Sequence, residues 1–138
     1  MKTIAENEMI ALLPVESAVV ANQLDQFERF VSMRFHQPGV LKRMVDEGWI
    51  KLANITANGE PKYLLGYHLT DDGGLWVDMM RTLAAGGTEA LIWSGLDCLA
   101  KEMRCVYIRF ATQRRGIVAA AQSHGFKPDA VLMTKEVR

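Results

Sequence analysis

The chain has 138 residues, of which 49% are hydrophobic, and sixteen basic side chains balance sixteen acidic ones. That composition excludes a disordered chain and predicts a single domain over residues 1–138, long enough to bury one sizeable core. A formal net charge of zero leaves no surplus of cations to hold a polyanion, so no nucleic-acid partner is expected.

In chain order, residues 4–13 predict a first strand. Its apolar run, residues 10–13, follows Glu6 and Glu8 and stops at Pro14, which is not the layout of a secretory signal. No apolar stretch approaches the length of a bilayer span, so a cytoplasmic protein is expected, with no membrane partner. Residues 15–35 change to a helical period. Val19, Val20, Gln23, Leu24, Phe27, Phe30 and Val31 recur at steps of three and four, while Asp25, Glu28 and Arg29 fall elsewhere. Gln37-Pro38-Gly39 breaks the pattern, and a short helix over residues 40–47 is expected to stop at Gly48.

The period then shortens. Trp49, Leu52, Ile55 and Thr56 lead to Asn58-Gly59, a dipeptide that supplies the positive φ angles of a tight hairpin. Tyr63, Leu64, Leu65, Tyr67 and Leu69 predict the next strand, which stops at Asp71-Asp72-Gly73-Gly74. Residues 75–83 complete a three-stranded antiparallel meander. After the small-residue turn at residues 84–88, a helix runs to about residue 103, with Leu91, Ile92, Gly95, Leu99 and Met103 on one face and Thr88 or Gly87 as its N-cap. Val106, Ile108 and Phe110 alternate as a strand. A helix over residues 113–124 directs Ile117, Val118 and Ala121 inward and ends at Gly125, and residues 131–137 predict a last strand. The order β-α-α-β-β-β-α-β-α-β describes an α+β chain with a mixed sheet, in which an antiparallel meander is continued by parallel pairing and flanked by helices.

Cys98 and Cys105 are too few for a disulfide framework and read as reduced, buried thiols. His36 and His68 are isolated in sequence, so no metal site is expected. Eight scattered methionines read as core filler.

The element order, the two hairpin signals and the closing Gly125-Phe126 together resemble the GNAT superfamily of N-acetyltransferases, best over residues 63–137. Leu65-Gly66-Tyr67 is similar to the family's third strand and Trp76-Val77 to its fourth. In that family a turn of the form Q/R-x-x-G-x-G/A opens the long helix, and its backbone amides grip the pyrophosphate of acyl-CoA. Unpaired amides and the helix dipole favour an anion there, and glycine admits it closely. Two registers fit here: residues 81–86, beginning with Arg81, and residues 82–87, beginning with Thr82. Each has alanine in place of the middle glycine.

The resemblance implies acetyl-CoA as cofactor, held by Met79, Met80, Arg81, Leu83, Ala84, Ala85, Gly86, Gly87, Thr88 and Arg114, and a small-molecule or protein amine as acceptor. Many family members carry a tyrosine that protonates the departing thiolate and an asparagine near the start of the last helix. Those positions hold Ala121 and, in the neighbourhood, Arg114. A replacement acid is then sought at Ser123 or His124, and a general base at Asp78 on the fourth strand. Strand alternation places Val77 and Met79 on the face opposite Asp78. The eroded motif is also similar to small phage accessory and virion-associated proteins that keep the fold without the chemistry and act by binding a protein partner or a second copy. Acyl transfer and protein binding therefore both remain open at the level of sequence.

Overall fold

The computed structural model describes residues 2–5, 8–30, 39–112 and 114–131, together with residues 133, 135 and 137. Six strands form one sheet in chain order: β1 (Lys2–Ala5), β2 (Glu8–Pro14), β3 (Lys51–Ala57), β4 (Glu60–Leu69), β5 (Gly74–Thr82) and β6 (Tyr107–Arg109). The first four junctions are antiparallel and the last, β5 with β6, is parallel. A 3-10 turn (Ser17–Val20) leads into α1 (Ala21–Phe30), and α2 (Val40–Asp46) follows. The helix α3 (Glu89–Glu102) connects β5 to β6, and α4 (Arg115–Ser123) follows β6.

The sheet is covered on both faces because its central strand alternates between two cores. On β4, Tyr63, Leu65 and Tyr67 join Ile55, Leu75 and the α3 residues Leu91, Trp93, Leu96 and Leu99 in one core. Leu64 joins Leu52, Met79 and the α1 residue Leu24 in the other. Adjacent residues Leu64 and Leu65 are each 0% exposed, as period-two alternation in a sheet buried on both sides requires. Both predicted hairpins form. Asn58 and Gly59 have φ of 52° and 83°, and Gly73 has φ of 88°.

Four expectations change. Residues 4–13 make two strands, with Ile4 opposite Met9 and Leu12 opposite Ile55, because the apolar run is drawn to β3 and the residues before it double back along its free edge. Val19 is exposed, since the 3-10 turn before α1 advances each residue by a third of a turn and rotates that side chain off the helical stripe. Glu28, assigned to the outer face, is buried, and its carboxylate accepts the amides of Gly39 at 2.9 Å and Leu41 at 2.6 Å. It thereby caps α2 from the neighbouring helix. On α4 Ala121 is buried, while Ile117 and Val118 are exposed, so this helix rests on its alanine side. Residues 31–35 of the expected first helix lie outside the described residues. In the expected last strand, residues 131, 133, 135 and 137 take no regular structure, and residues 132, 134 and 136 lie outside the described set.

The β5–β6 junction is pinned at its start. A Cβ on Gly74 would stand 2.0 Å from the Tyr107 ring, which lies flat over this glycine. Tyr107 Oη lies 2.9 Å from Thr70 Oγ1 and also donates to Asp72. The Arg109 guanidinium sits 4.2 Å from the centre of the same ring. With the ring fixed by its own hydrogen bonds, Gly74→Ala is expected to cost about 1–3 kcal/mol through overpacking. Leu65→Ala, in the core of the central strand, is expected to cost about 2–5 kcal/mol. Urea denaturation followed by circular dichroism checks both, and an unchanged midpoint for Gly74→Ala would refute the pin.

Candidate active site

The parallel ladder between β5 and β6 is short. Gly74, Leu75 and Trp76 pair with Tyr107, Ile108 and Arg109, and β6 then ends while β5 continues to Thr82. From Val77 onward the β5 edge facing β6 has no strand partner among the described residues. Because the two strands are parallel, their C-terminal ends lie at the same end of the sheet. There β5 feeds the turn before α3, and β6 feeds the segment before α4. The N-termini of α3 and α4 therefore both follow the C-terminal ends of these two strands.

The turn at residues 83–88 is anchored from β4. Leu83 N–H donates to the Lys62 carbonyl at 2.8 Å, and Lys62 Nζ donates to the Ala85 carbonyl at 3.1 Å. Tyr63 Oη donates to the Thr88 carbonyl at 3.3 Å. The first uses the Leu83 amide; the other two use the turn carbonyls of Ala85 and Thr88. The amides of Gly86, Thr88 and Glu89 donate to nothing among the described residues, while Ala85 and Gly86 form a turn. Thr88 is the N-cap of α3, its hydroxyl accepting Leu91 N–H at 3.3 Å. The two glycines serve different ends. Gly86 has φ of 84°, which favours glycine. Gly87 lets the Tyr63 ring approach, since a Cβ there would meet the phenol oxygen at 2.7 Å. Lys62 Nζ lies 3.6 Å from where a Gly86 Cβ would project and places a cation at the turn, partly offset by Glu60 at 3.1 Å.

Along β5, register decides which side chains face where. Gly66 pairs with Met79 and Tyr67 with Val77, so Asp78 is the extra residue of a β-bulge. Simple alternation fails at this point. Val77 packs into the α3 core, but Met79 packs with Leu24 and Leu64 on the α1 side, the face that Asp78 also takes. Gly66 makes room for this, as a Cβ there would stand 2.5 Å from Met79 Cγ. Asp78 Oδ2 lies 2.7 Å from His68 Nδ1, and the His68 ring stacks on Trp76. Burial pushes the Asp78 carboxyl above its usual 3.8, opposed by the hydrogen bond and charge of His68.

The remaining predicted residues are spread along β5 and α4. Met80 points into the α3 core. Arg81 Nε donates to Gln23 Oε1 at 2.6 Å and its other arm to Gln26, which docks α1 on β5. Arg114 is the exposed N-cap of α4. At the other end of α4, Ser123 Oγ donates to the Ala119 carbonyl at 3.2 Å. His124 stacks on Trp93 with ring centres 5.2 Å apart, and its Nε2 lies 3.8 Å from Glu89 at the start of α3. Sequence reasoning missed two groups, Lys62 and His68. Lys62 carried a legible signal, because it precedes Tyr63 on the strand that pairs with the end of β5. A cavity of about 650 Å³ is lined by Leu12, Val15, Leu52, Tyr67, Leu99 and Met103; it borders the bulge through Tyr67 and does not include the turn.

The fold has close counterparts among solved structures. A possible acetyltransferase from Clostridium difficile 630 superposes with a TM-score of 0.63 at 15% identity, covering 94% of this chain and 98% of the other. The chain bears the GNAT fold. The acetyltransferase AAC(6')-Iy, in complex with a CoA-S-monomethyl-acetylneamine bisubstrate analogue, gives a TM-score of 0.61 at 9% identity over 94% and 98% of the two chains. Ribosomal-protein-alanine N-acetyltransferase from Brucella melitensis biovar Abortus 2308 gives 0.58 at 12% identity over 94% and 96%. No protein-family model and no curated protein sequence matches the chain. Within this GNAT fold, the described residues contain no cluster of three or more metal-ligating side chains. No helix among them is long and apolar enough to cross a membrane.

The bulge yields a test of its own. With its carboxyl raised, Asp78 makes a contribution that weakens folding as pH climbs from the unfolded value, 3.8, through the higher folded value. Asp78→Asn keeps an acceptor for His68 and removes the buried charge. Its melting temperature is expected to match the parent near pH 3 to 4, roughly where both forms are protonated, and to exceed it increasingly toward about pH 7. Paired thermal melts across that range are the check, and a variant less stable than the parent at neutral pH would contradict it.

Proposed function

We propose that the protein binds an acyl-CoA, with acetyl-CoA the expected form, in the slot between β5 and β6 and transfers the acyl group to a primary amine. The observation that carries this is the pairing of an open β5 edge with unpaired α3 amides at the same end of the sheet. Solved neighbours add support, since AAC(6')-Iy is seen with CoA and with a CoA–acetylneamine bisubstrate analogue.

On this reading residues 83–88 hold the pyrophosphate through the amides of Gly86 and Thr88, with Leu83, Ala84, Ala85 and Gly87 shaping the turn and Lys62 supplying charge. The backbone of Met79, Met80 and Arg81 runs along the acyl arm as a missing strand would, offering amides and carbonyls to orient the thioester. Arg114, at the mouth of α4, faces the cofactor's phosphates. Asp78, on the bulge, belongs to the proton-accepting apparatus. The departing thiolate takes its proton from solvent or from His124; the Ser123 hydroxyl is engaged by its own helix. The thioester is already activated, so the chain supplies position and proton acceptance.

Acetyl-CoA at about one hundred times its dissociation constant is expected to stabilise the fold by about 2.7 kcal/mol, since it binds only the native state. Thermal melts with and without acetyl-CoA read this directly. Lys62→Met removes the turn's cation together with its hydrogen bond to the Ala85 carbonyl, so it should lower the melting temperature of the free protein somewhat and, in addition, reduce the shift that acetyl-CoA produces. Absence of any shift in the parent would overturn the proposal.

A further inference from the structure

We propose that the atom receiving the amine's proton is Nε2 of His68, and that Asp78 is a positioning residue which fixes that ring. This rests on the acyl-transfer reading above and names the group that does its proton chemistry. Asp78 Oδ2 sits 2.7 Å from His68 Nδ1. A carboxylate can only accept there, so the neutral ring carries its hydrogen on Nδ1 and its lone pair on Nε2. The Asp78 side chain is 17% exposed and the His68 side chain 38%. The imidazole, not the carboxylate, is thus the open end of the pair. Trp76, stacked at 6.2 Å and 28°, holds the ring plane from the side.

The pair sits where the β-bulge interrupts the β4–β5 register. Alternation from Val77, which packs into the α3 core, puts Asp78 on the α1 face with Trp76 and His68, and the extra residue brings Met79 onto that face as well. Among the described residues, no other ionisable group contacts His68. The bulge also stands two residues beyond Trp76, the last β5 residue paired with β6, where the open edge begins. In the reaction, the amine nitrogen attacks the thioester carbonyl carbon, the C–N bond forms and the C–S bond breaks. The proton lost by nitrogen passes to His68 Nε2, and the thiolate takes up one proton, leaving an amide and free CoA thiol. The imidazolium returns its proton to solvent.

Three measurements on the full chain test this. Long-range proton–nitrogen correlation should find neutral His68 with hydrogen on Nδ1 in the parent and a mixture of tautomers in Asp78→Ala; an Nε2–H ring in the parent would overturn the proposal. Thiol release from acetyl-CoA, with neamine, a lysine peptide or water alone as acceptor, should fall by about 10²–10⁴-fold in kcat for His68→Gln, with KM for acetyl-CoA unchanged. Free imidazole should restore part of the rate in His68→Gly. An acetyl-CoA melting shift in the parent, combined with His68→Gln turning over at the parent rate, would reject His68 and keep acyl transfer. No shift in the parent would reject both.

Discussion

The architecture depends on where the parallel ladder between β5 and β6 stops. A parallel pair that continued along the whole of β5 would satisfy every backbone group on that edge and leave no slot. Here three pairs form and the pairing stops. The closed end is held by a ring laid over a glycine, with the phenol of Tyr107 tied to Thr70 and Asp72 in the turn between β4 and β5. At the unpaired end each strand leaves for its own helix, and the α4 side draws Phe110 and Phe126 against Trp93 on α3. The aromatic cluster thus ties α3 to the α4 segment, while the strands that feed them are no longer paired. An edge of unpaired amides and carbonyls is a liability in a free protein. Its persistence on a strand that is paired along its other side is the strongest physical reason to look there for a ligand.

A second feature, the bulge at Asp78, works on the same strand. At it, one carboxylate lies half-buried beside an imidazole, against the desolvation that raises its pKa. Elsewhere the chain handles carboxylates differently. Asp46 and Asp72 are exposed, with hydrogen bonds from Lys42 and Ser17, and from Thr70 and Tyr107, drawing their pKa values down. Buried Glu28 is satisfied by two helix amides. Asp78 is the described carboxylate whose environment works against its charge, and such groups concentrate where chemistry is done.

Much of the fold was legible because its signals are local. The Asn58-Gly59 and Asp72-Gly73 turns, the Thr88 cap and the core stripe of α3 each follow from a few neighbouring residues. The failures come from non-local causes. Glu28 belongs to a helix pattern by period but answers to α2, eleven and thirteen residues away, through Gly39 and Leu41. The facing of Met79 cannot be read from β5 alone, because the bulge exists only in the register with Gly66 and Tyr67. His68 looked isolated for the same reason. Its partner is ten residues along the chain and becomes a neighbour only when the hairpin closes. The phosphate-turn registers were equally ambiguous in sequence. Backbone geometry separates the glycines, giving Gly86 the left-handed conformation and Gly87 the contact with Tyr63.

The same physical chemistry weighs the residue that is missing. Ala121, where a tyrosine would donate to the departing thiolate, is buried and packed. A thiol near an ordinary pKa of about 8.5 is a modest base once ionised, so its thiolate departs near neutral pH without a dedicated donor. An alkylamine acceptor poses a harder problem. With an ordinary pKa of about 10.4, only roughly one molecule in two or three thousand is deprotonated at pH 7. Proton removal, not proton donation, is then the step for which a protein group matters most. On the acyl-transfer reading proposed above, a buried Ala121 in place of a donor is therefore a smaller loss than removal of the Asp78–His68 pair would be.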